Sequence, residues 1–505
     1  MADVLLTHSY HLYYDRKQVQ RMQPYPPLGT LYAAALLRER GYSVAVFDSM
    51  LEDPERGFSA AIARHKPRVV AIYEDNFNFL SKMCLSRMRE VAFGMIDTAR
   101  RAGIKIIVNG SDSSDHLEEY LVRGADFVLL GEAEWTLLDL VESIFGSSEQ
   151  RPEDIRGLAF FRPPSGGVFR TPARPLMREL DALPFPARDL IDLTRYRDAW
   201  KAAHGFFSLN IVASRGCPYR CNWCAKPIYG DSFHLRSAES VALEMRALKE
   251  ICRAEHLWFA DDIFGLKSGW VAELAESVTR HNASIPFKMQ SRVDLMKEKT
   301  VNDLRRAGCA EVWMGVESGS QKVLDAMDKG TRVSQVAVAR ENLRRFGIRA
   351  CYFLQFGYAG ESWADIQKTI RLVRDTRPDD VGVSVSYPLP GTKFYELVRE
   401  QLGEKTNWVD SGDLSMMFKG AYTSEFYRAL HDALHAEVET WDLKQAQRSS
   451  RRHAENGITH PALLRAQELW TEVERLEKLC RHRDPTLLPV EALTIADSGQ
   501  AMESW

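Results

Sequence analysis

Between residues 1 and 146, short apolar runs alternate with segments whose apolar residues recur every three or four positions. The runs are DVLLTH (3–8), SVAVFD (43–48), RVVAIY (68–73), KIIVNG (105–110) and DFVLLG (126–131). Each is apolar nearly throughout rather than alternating, the pattern of parallel strands covered on both faces. The stretches LGTLYAAALLRERG, FSAAIARHK, RMREVAFGMIDTARRAG and HLEEYLVRG between them have helical periodicity. Several end at glycine, which readily takes the left-handed turn that closes a helix. Five strands alternating with helices predict an α/β domain with a doubly wound parallel sheet, whose ligands sit at the strands' carboxyl ends.

Residues 147–200 break the rhythm. GLAFFRPPSGGVFRTP (157–172) reads as a hairpin, and LDALPFPARDL follows it, so the stretch reads as a linker. A second series begins near Ser208, with six strand candidates: SLNIVAS, HLWFADD, FKMQSRVD, EVWMGVES, ACYFLQFG and VGVSVSYP. Helical stretches such as SAESVALEMRALKEI and WADIQKTIRLVRD separate them. Six βα units are fewer than the eight of a closed barrel, so residues 201–402 predict a partial (βα)6 barrel, open on one side. Residues 403–505 read as a mainly helical C-terminal region ending in a mobile tail.

The 505 residues carry a net charge of −3 with both signs interspersed, which gives no electrostatic case for a nucleic-acid or membrane surface. No run is long and apolar enough to predict a membrane-spanning helix, and the first residues lack the pattern of a secretion signal. The eight cysteines are too few for a disulfide scaffold in so long a chain. They suit a reducing compartment, and the expected location is the cytoplasm.

Three of them crowd into RGCPYRCNWCAKP (215–227), just past the first strand of the second series: Cys217, Cys221 and Cys224. Structural zinc takes four ligands, commonly in paired halves, and no second pair is present, although His234 could complete a set. A [4Fe-4S] cluster is held by thiolates, and three cysteines leave one iron free for another ligand.

The Cys-x3-Cys-x2-Cys spacing, with Trp223 before the last cysteine, resembles the radical S-adenosylmethionine (SAM) superfamily. PYPPLGTLYAAALLRERG (24–41) and VNGSDSSDHLEEYLVRGADFVLLGEAEWTLLDLV (108–141) resemble the cobalamin-binding domains fused to such barrels. Together they resemble the class B, cobalamin-binding radical SAM enzymes, which include methyltransferases and the anaerobic magnesium-protoporphyrin monomethyl ester oxidative cyclase. The resemblance implies a cluster on Cys217, Cys221 and Cys224, with SAM on the open iron. Reduction then cleaves SAM to methionine and a 5′-deoxyadenosyl radical that abstracts a substrate hydrogen. Carried over residue by residue, it places Asp261, Asp262, Gln290, Arg292, Glu317, Ser318, Gly357 and Gly360 around SAM. It places Tyr73, Asn76, Gly110, Ser111, Gly131 and Glu132 around cobalamin. Asn109-Gly110-Ser111-Asp112 stands where the family often has Gly-Gly-Pro-His, and Lys17 stands where many cobalamin proteins place a cobalt-ligating histidine. Asp75, His8 and His11 are further candidates for the lower cobalt face.

The resulting expectation is an enzyme that methylates an unactivated carbon of a small molecule through methylcobalamin. Its partners would be that substrate and an external one-electron donor such as flavodoxin or ferredoxin. The alternative is oxidative cyclisation or rearrangement without methyl transfer. A tRNA methylthiotransferase-like enzyme would need a second cluster, and only Cys84 precedes residue 200. A non-enzymatic cobalamin sensor would not need the cysteine triplet. No residue of the sequence identifies the substrate.

Overall fold

The computed structural model describes residues 1–162, 166–441, 460–479 and 481. The described chain forms two compact units. The first comprises residues 1–218, 225–289 and 407–413. The second comprises residues 219–224 and 290–406, with the chain from Leu414 onward.

In the first unit, β1 (Val4–Thr7), β2 (Val44–Phe47), β3 (Val69–Tyr73), β4 (Lys105–Asn109) and β5 (Phe127–Leu129) lie parallel in the order β2-β1-β3-β4-β5. The chain reverses its direction of winding between β1 and β3, the crevice where open α/β sheets bind ligands. The uninterrupted apolar runs follow from this placement. Val4, Leu6, Val69, Ala71, Ile107 and Leu129 enter one core, while Leu5, Val70, Ile72, Ile106, Val108 and Val128 enter the other. Side chains alternate across a strand, so a sheet buried on both faces needs apolar residues at every position. The hairpin expected before residue 172 forms as β6 (Leu158–Arg162) and β7 (Gly167–Arg170). It is not free-standing: β6 pairs antiparallel with β5, Val128 opposite Ala159, and extends the same sheet to seven strands.

The second series also begins in this unit. β8 (Ser208–Ile211) pairs in parallel with β11 (His256–Phe259), which pairs in parallel with β12 (Phe287–Ser291). Between β8 and β11 lies a short antiparallel ribbon of β9 (Ser214–Arg215) and β10 (His234–Leu235). The cysteine loop leaves this ribbon after Arg215 and re-enters it at His234.

The second unit holds β13 (Cys309–Glu317), β14 (Arg349–Phe356) and β15 (Asp380–Val385), mutually parallel in that order. The helices 298–307, 334–345 and 363–376 connect or follow these strands. The last is closed by a capping box in which Ser362 and Asp365 satisfy each other's backbone N–H groups. In the C-terminal region, residues 403–423 form no helix, and Ser424–Glu439 then packs against Pro461–Leu479 and against β15. Tyr422 donates to Glu477 at 3.0 Å, and Arg374 lies 4.7 Å from the Trp470 ring. The expected mobile tail lies outside the described residues.

Candidate functional site

At the carboxyl edge of the first sheet, polar residues are folded into one another. Helix Leu28–Glu39 starts so close to the end of β3 that a Cβ on Gly29 would lie 3.0 Å from the Glu74 carbonyl oxygen. A side chain there would crowd the strand end, and the close approach lets the Gly29 N–H donate to Asp75 at 3.0 Å. Glu74 accepts from the Ser9 N–H through both oxygens, at 3.1 and 3.2 Å. His8 is buried against Asp48 at 2.9 Å, and Tyr196 donates to the other Asp48 oxygen at 2.5 Å. Burial disfavours a charged His8, but Asp48, Glu74 and Asp75 outweigh it and raise its pKa. His11 has its Nδ1 2.8 Å from the Ser49 carbonyl oxygen and lines a cleft with Tyr14, Asp15 and Arg87. Lys17 stands on the helix after β1, where burial lowers its pKa to about 8.

Asn76 Nδ2 donates to Asn109 Oδ1 at 2.8 Å, and Asn109 Nδ2 donates to the Leu129 carbonyl at 3.1 Å. Two buried polar atoms here lack a partner among the described residues: Asn76 Oδ1 and Ser111 Oγ. Buried polar groups are almost always satisfied, so this edge has hydrogen-bonding capacity suited to a polar ligand. Gly110 is spaced for it, since a Cβ there would strike Glu74 Cγ at 2.8 Å. Tyr73 ends β3 fully buried.

Glu132 is placed differently from a residue open to a ligand. Its oxygens accept from Arg215 Nη1 and the Met177 N–H, each at 2.5 Å. Glu134 accepts from Arg215 Nη2 at 2.8 Å. The guanidinium also lies 5.6, 5.3 and 5.2 Å from the rings of Tyr32, Phe77 and Tyr229. Burial opposes its charge, but the two carboxylates more than compensate and keep Arg215 a cation. Gly131 sits at the preceding turn with φ +69°. The Gly-Glu-x-Glu stretch thus grips the residue two positions before Cys217.

The cysteine loop begins at a conformational bottleneck. Gly216 has φ +79°, and a Cβ would lie 2.2 Å from the Ser232 carbonyl oxygen. No other residue fits there without moving backbone. Lys226 donates to the Cys217 carbonyl at 3.0 Å and pairs with Asp231 at 2.5 Å. In the second unit, Asn222 donates from its N–H to the Met327 carbonyl at 3.0 Å and from Nδ2 to the Ala326 carbonyl at 2.6 Å. The three thiols are half-buried and free of disulfides. Among the described residues no three His, Cys, Asp or Glu side chains are already gathered as metal ligands. Three reduced thiols on one short, anchored loop are nevertheless a donor set that suits iron–sulfur ligation.

Asp261 and Asp262 follow β11. Asp261 is buried and accepts from the Ala213 N–H at 3.1 Å and from Ser214 Oγ at 2.5 Å. Burial raises its pKa to about 7 against those hydrogen bonds. It braces the backbone between β8 and β9. Asp262 pairs with Lys82, which follows β3. Both aspartates are therefore engaged within the protein.

In the second unit, Gln290 is half-buried at the end of β12. Arg292 stacks 3.6 Å from the Tyr219 ring centroid, donates to the Lys329 carbonyl at 2.8 Å and pairs with Asp294 at 3.0 Å. Glu317 ends β13 beyond a bulge, in a left-handed conformation with φ +61°, and pairs with Lys329 at 2.7 Å. Ser318 Oγ lies 3.2 Å from Thr369 Oγ1 and accepts from the Ser320 N–H at 3.1 Å. Gly357 (φ +75°) and Gly360 (φ +79°) shape the turn after β14. A Cβ on Gly357 would press on Met416 and Tyr427. Glu361 accepts from the Gly357 N–H at 2.6 Å, its other oxygen is buried without a partner among the described residues, and burial raises its pKa to about 8.

The sequence did not single out Arg215, Gly216, Lys329 or Glu361. Arg215 and Gly216 flank the cysteine motif and could have been queried for that reason. Lys329 sits in an Asp-Lys-Gly turn and carries no sequence signal.

A family model described as the radical SAM superfamily matches residues 211–373, and one described as a B12 binding domain matches residues 20–141. The chain is 26% identical over 390 residues to an uncharacterized methyltransferase of Pyrococcus horikoshii, covering 76% of this chain and 81% of that protein. It is 24% identical over 400 residues to the anaerobic magnesium-protoporphyrin IX monomethyl ester cyclase of Rubrivivax gelatinosus, covering 76% and 68%. Its fold is similar to that of the radical SAM methyltransferase TsrM from Kitasatospora setae, solved with cobalamin and a [4Fe-4S] cluster bound. The TM-score is 0.64 at 19% identity, covering 79% of this chain and 75% of that one.

Proposed function

We propose, from the premise that this chain belongs to the radical SAM enzymes that carry a B12-binding domain, that it methylates an unactivated carbon of a small-molecule substrate. The carrying observation is the clasp of Arg215 by Glu132 and Glu134. It ties the B12-binding domain directly to Arg215, at the root of the cysteine loop, within the first unit.

When bound, the cluster supplies the electron that cleaves SAM to methionine and a 5′-deoxyadenosyl radical, and cobalamin supplies the methyl group. The protein's part is to hold and orient them. Cys217, Cys221 and Cys224 supply the thiolates, and Gly216 fixes where the loop departs. Arg292, Glu317 and Ser318, at or just past the ends of β12 and β13, are proposed to line the SAM side, with Gln290, Gly357 and Gly360. Asp261 and Asp262 are proposed to act there by bracing the β8–β9 backbone and by binding Lys82. Asn76 and Ser111 are proposed to spend their unpartnered atoms on the corrin periphery, with Gly110 leaving room beside them. Tyr73, Gly131 and Glu132 are proposed to shape that edge from behind. Asp75, His8 and His11 lie at the same edge, and His8 is committed to Asp48.

The reaction needs a reductant and a substrate, and the proposed donor is a flavodoxin or ferredoxin in a reducing cytoplasm. No described helix is long and apolar enough to cross a membrane. The test is anaerobic purification with cobalamin supplied, then iron and cobalt analysis, then incubation with SAM and a reductant. Bound cobalamin, a full cluster and 5′-deoxyadenosine are expected. Changing all three cysteines to alanine should abolish the visible iron–sulfur absorbance and SAM cleavage. A product that has not gained one methylene in mass would overturn methyl transfer while leaving the radical chemistry in place.

A further inference from the structure

We propose that Lys329 is a positioning residue for the cysteine loop: a buried ammonium, held by Glu317, that sets the reduction potential of the cluster on that loop. The proposal rests on the cluster reading above.

The pair is enclosed, with side-chain exposures of 7% for Lys329 and 6% for Glu317, and its N–O distance is 2.7 Å. Backbone has been shaped to admit it. A Cβ on Gly315 would lie 2.7 Å from the ammonium nitrogen and 2.8 Å from the Glu317 oxygen. Glu317 itself holds φ +61° past the bulge in β13. A non-glycine residue is strained there, and such strain collects at functional positions. A buried ion pair adds little net stability over apolar residues of similar size. What apolar residues could not reproduce is the field.

That field reaches the cysteine loop. The ammonium lies 5.9 Å from the Trp223 ring, between Cys221 and Cys224 in sequence. Burial alone would lower the Lys329 pKa, but the Glu317 carboxylate outweighs it and keeps the side chain an ammonium. The geometry is fixed by the turn that carries Lys329. Met327 and Ala326 accept from Asn222, and the Lys329 carbonyl accepts from Arg292, which stacks on Tyr219. The Trp223 indole N–H is also buried without a partner among the described residues, leaving a donor on the loop for a sulfur atom.

An iron–sulfur cluster on three thiolates is anionic and gains negative charge on reduction. A fixed cation beside it favours the reduced form, and a carboxylate disfavours it. The two partners therefore act with opposite signs, which a merely structural pair would not do.

The test is a redox titration, followed by electron paramagnetic resonance, of the full chain with its cluster reconstituted. Lys329→Met should make reduction about tenfold less favourable, a fall of ~59 mV for one electron. Glu317→Gln should move the potential upward, and Lys329→Arg should restore it to near the wild-type value. Shifts of the same sign, or none with iron content intact, would overturn the inference and leave the pair structural. Weaker SAM binding by Lys329→Met with an unchanged potential would overturn it too, assigning the ammonium to the SAM carboxylate. If Lys329→Met fails to hold iron, the direction of the Glu317→Gln shift decides alone. A wild-type chain that takes up no cluster would instead sink the underlying reading, whatever the variants do.

Discussion

Arg215 and Lys329 are both buried cations held by glutamates, yet they solve different problems. Arg215 is over-determined: two carboxylates, three aromatic rings and a guanidinium that matches carboxylate geometry. Lys329 has one carboxylate, which sits on strained backbone, and a single aromatic ring nearby. The first arrangement resists change and is suited to holding segments together. The second is a point charge whose influence depends on its distance from the cysteine loop. Burial of an ion pair thus does not reveal its purpose; the number of its restraints and the strain around it do.

Three experiments press on this contrast. The largest effect is expected from Arg215→Ala, which strands two buried carboxylates and should cost about 3–5 kcal/mol of stability. Denaturant unfolding measures it. Adding Glu132→Gln and Glu134→Gln to that variant should recover part of the loss; if the single variant unfolds like wild type, the clasp is not holding the unit together.

Next comes Glu361, whose carboxyl is buried and carries a raised pKa, like Asp261 in the other unit. Its folded pKa of about 8 lies above the ordinary 4.5, so the native state binds the extra proton between these values. Its stability contribution is complete below the unfolded pKa and is lost as pH rises through about 8. The whole effect is on the order of 5 kcal/mol. Glu361→Gln keeps the acceptor for the Gly357 N–H and should flatten the decline of melting temperature between about pH 4.5 and 8. An unchanged slope would mean that Glu361 ionises freely in the fold.

The smallest effect is expected at the edge of the first sheet. Asn76→Ala or Ser111→Ala should weaken cobalamin retention by about 1–2 kcal/mol each, the cost of a lost hydrogen bond. Equilibrium dialysis would show it, and unaltered retention in both would remove those atoms from the corrin edge.

Much of the architecture was legible in the sequence because its strands are buried on both faces. RVVAIY and KIIVNG became β3 and β4, each within a residue of its run. What periodicity could not supply was partnership. The stretch 157–172 signalled a hairpin, but not that β6 would pair with β5. The cysteine triplet announced its chemistry through spacing, whereas Arg215 meets its glutamates across 83 and 81 residues. Asp261 and Asp262 stood out in the sequence as candidates at a strand end. Their actual partners, Ser214 and Lys82, come from elsewhere in the chain, and a local motif does not encode them. Lys329 was invisible because a lysine beside a glycine is ordinary turn composition.

The clasp at Arg215 bears on how such a protein can be rearranged. Modular exchange of its first 146 residues for another B12-binding domain would deliver a new corrin bed without the two carboxylates that receive the guanidinium. The recipient would inherit an unpaired charge in its interior, at the hinge of its own cluster loop. A graft between members of this group therefore has to transplant the Gly-Glu-x-Glu turn together with its arginine, or replace all three charges at once.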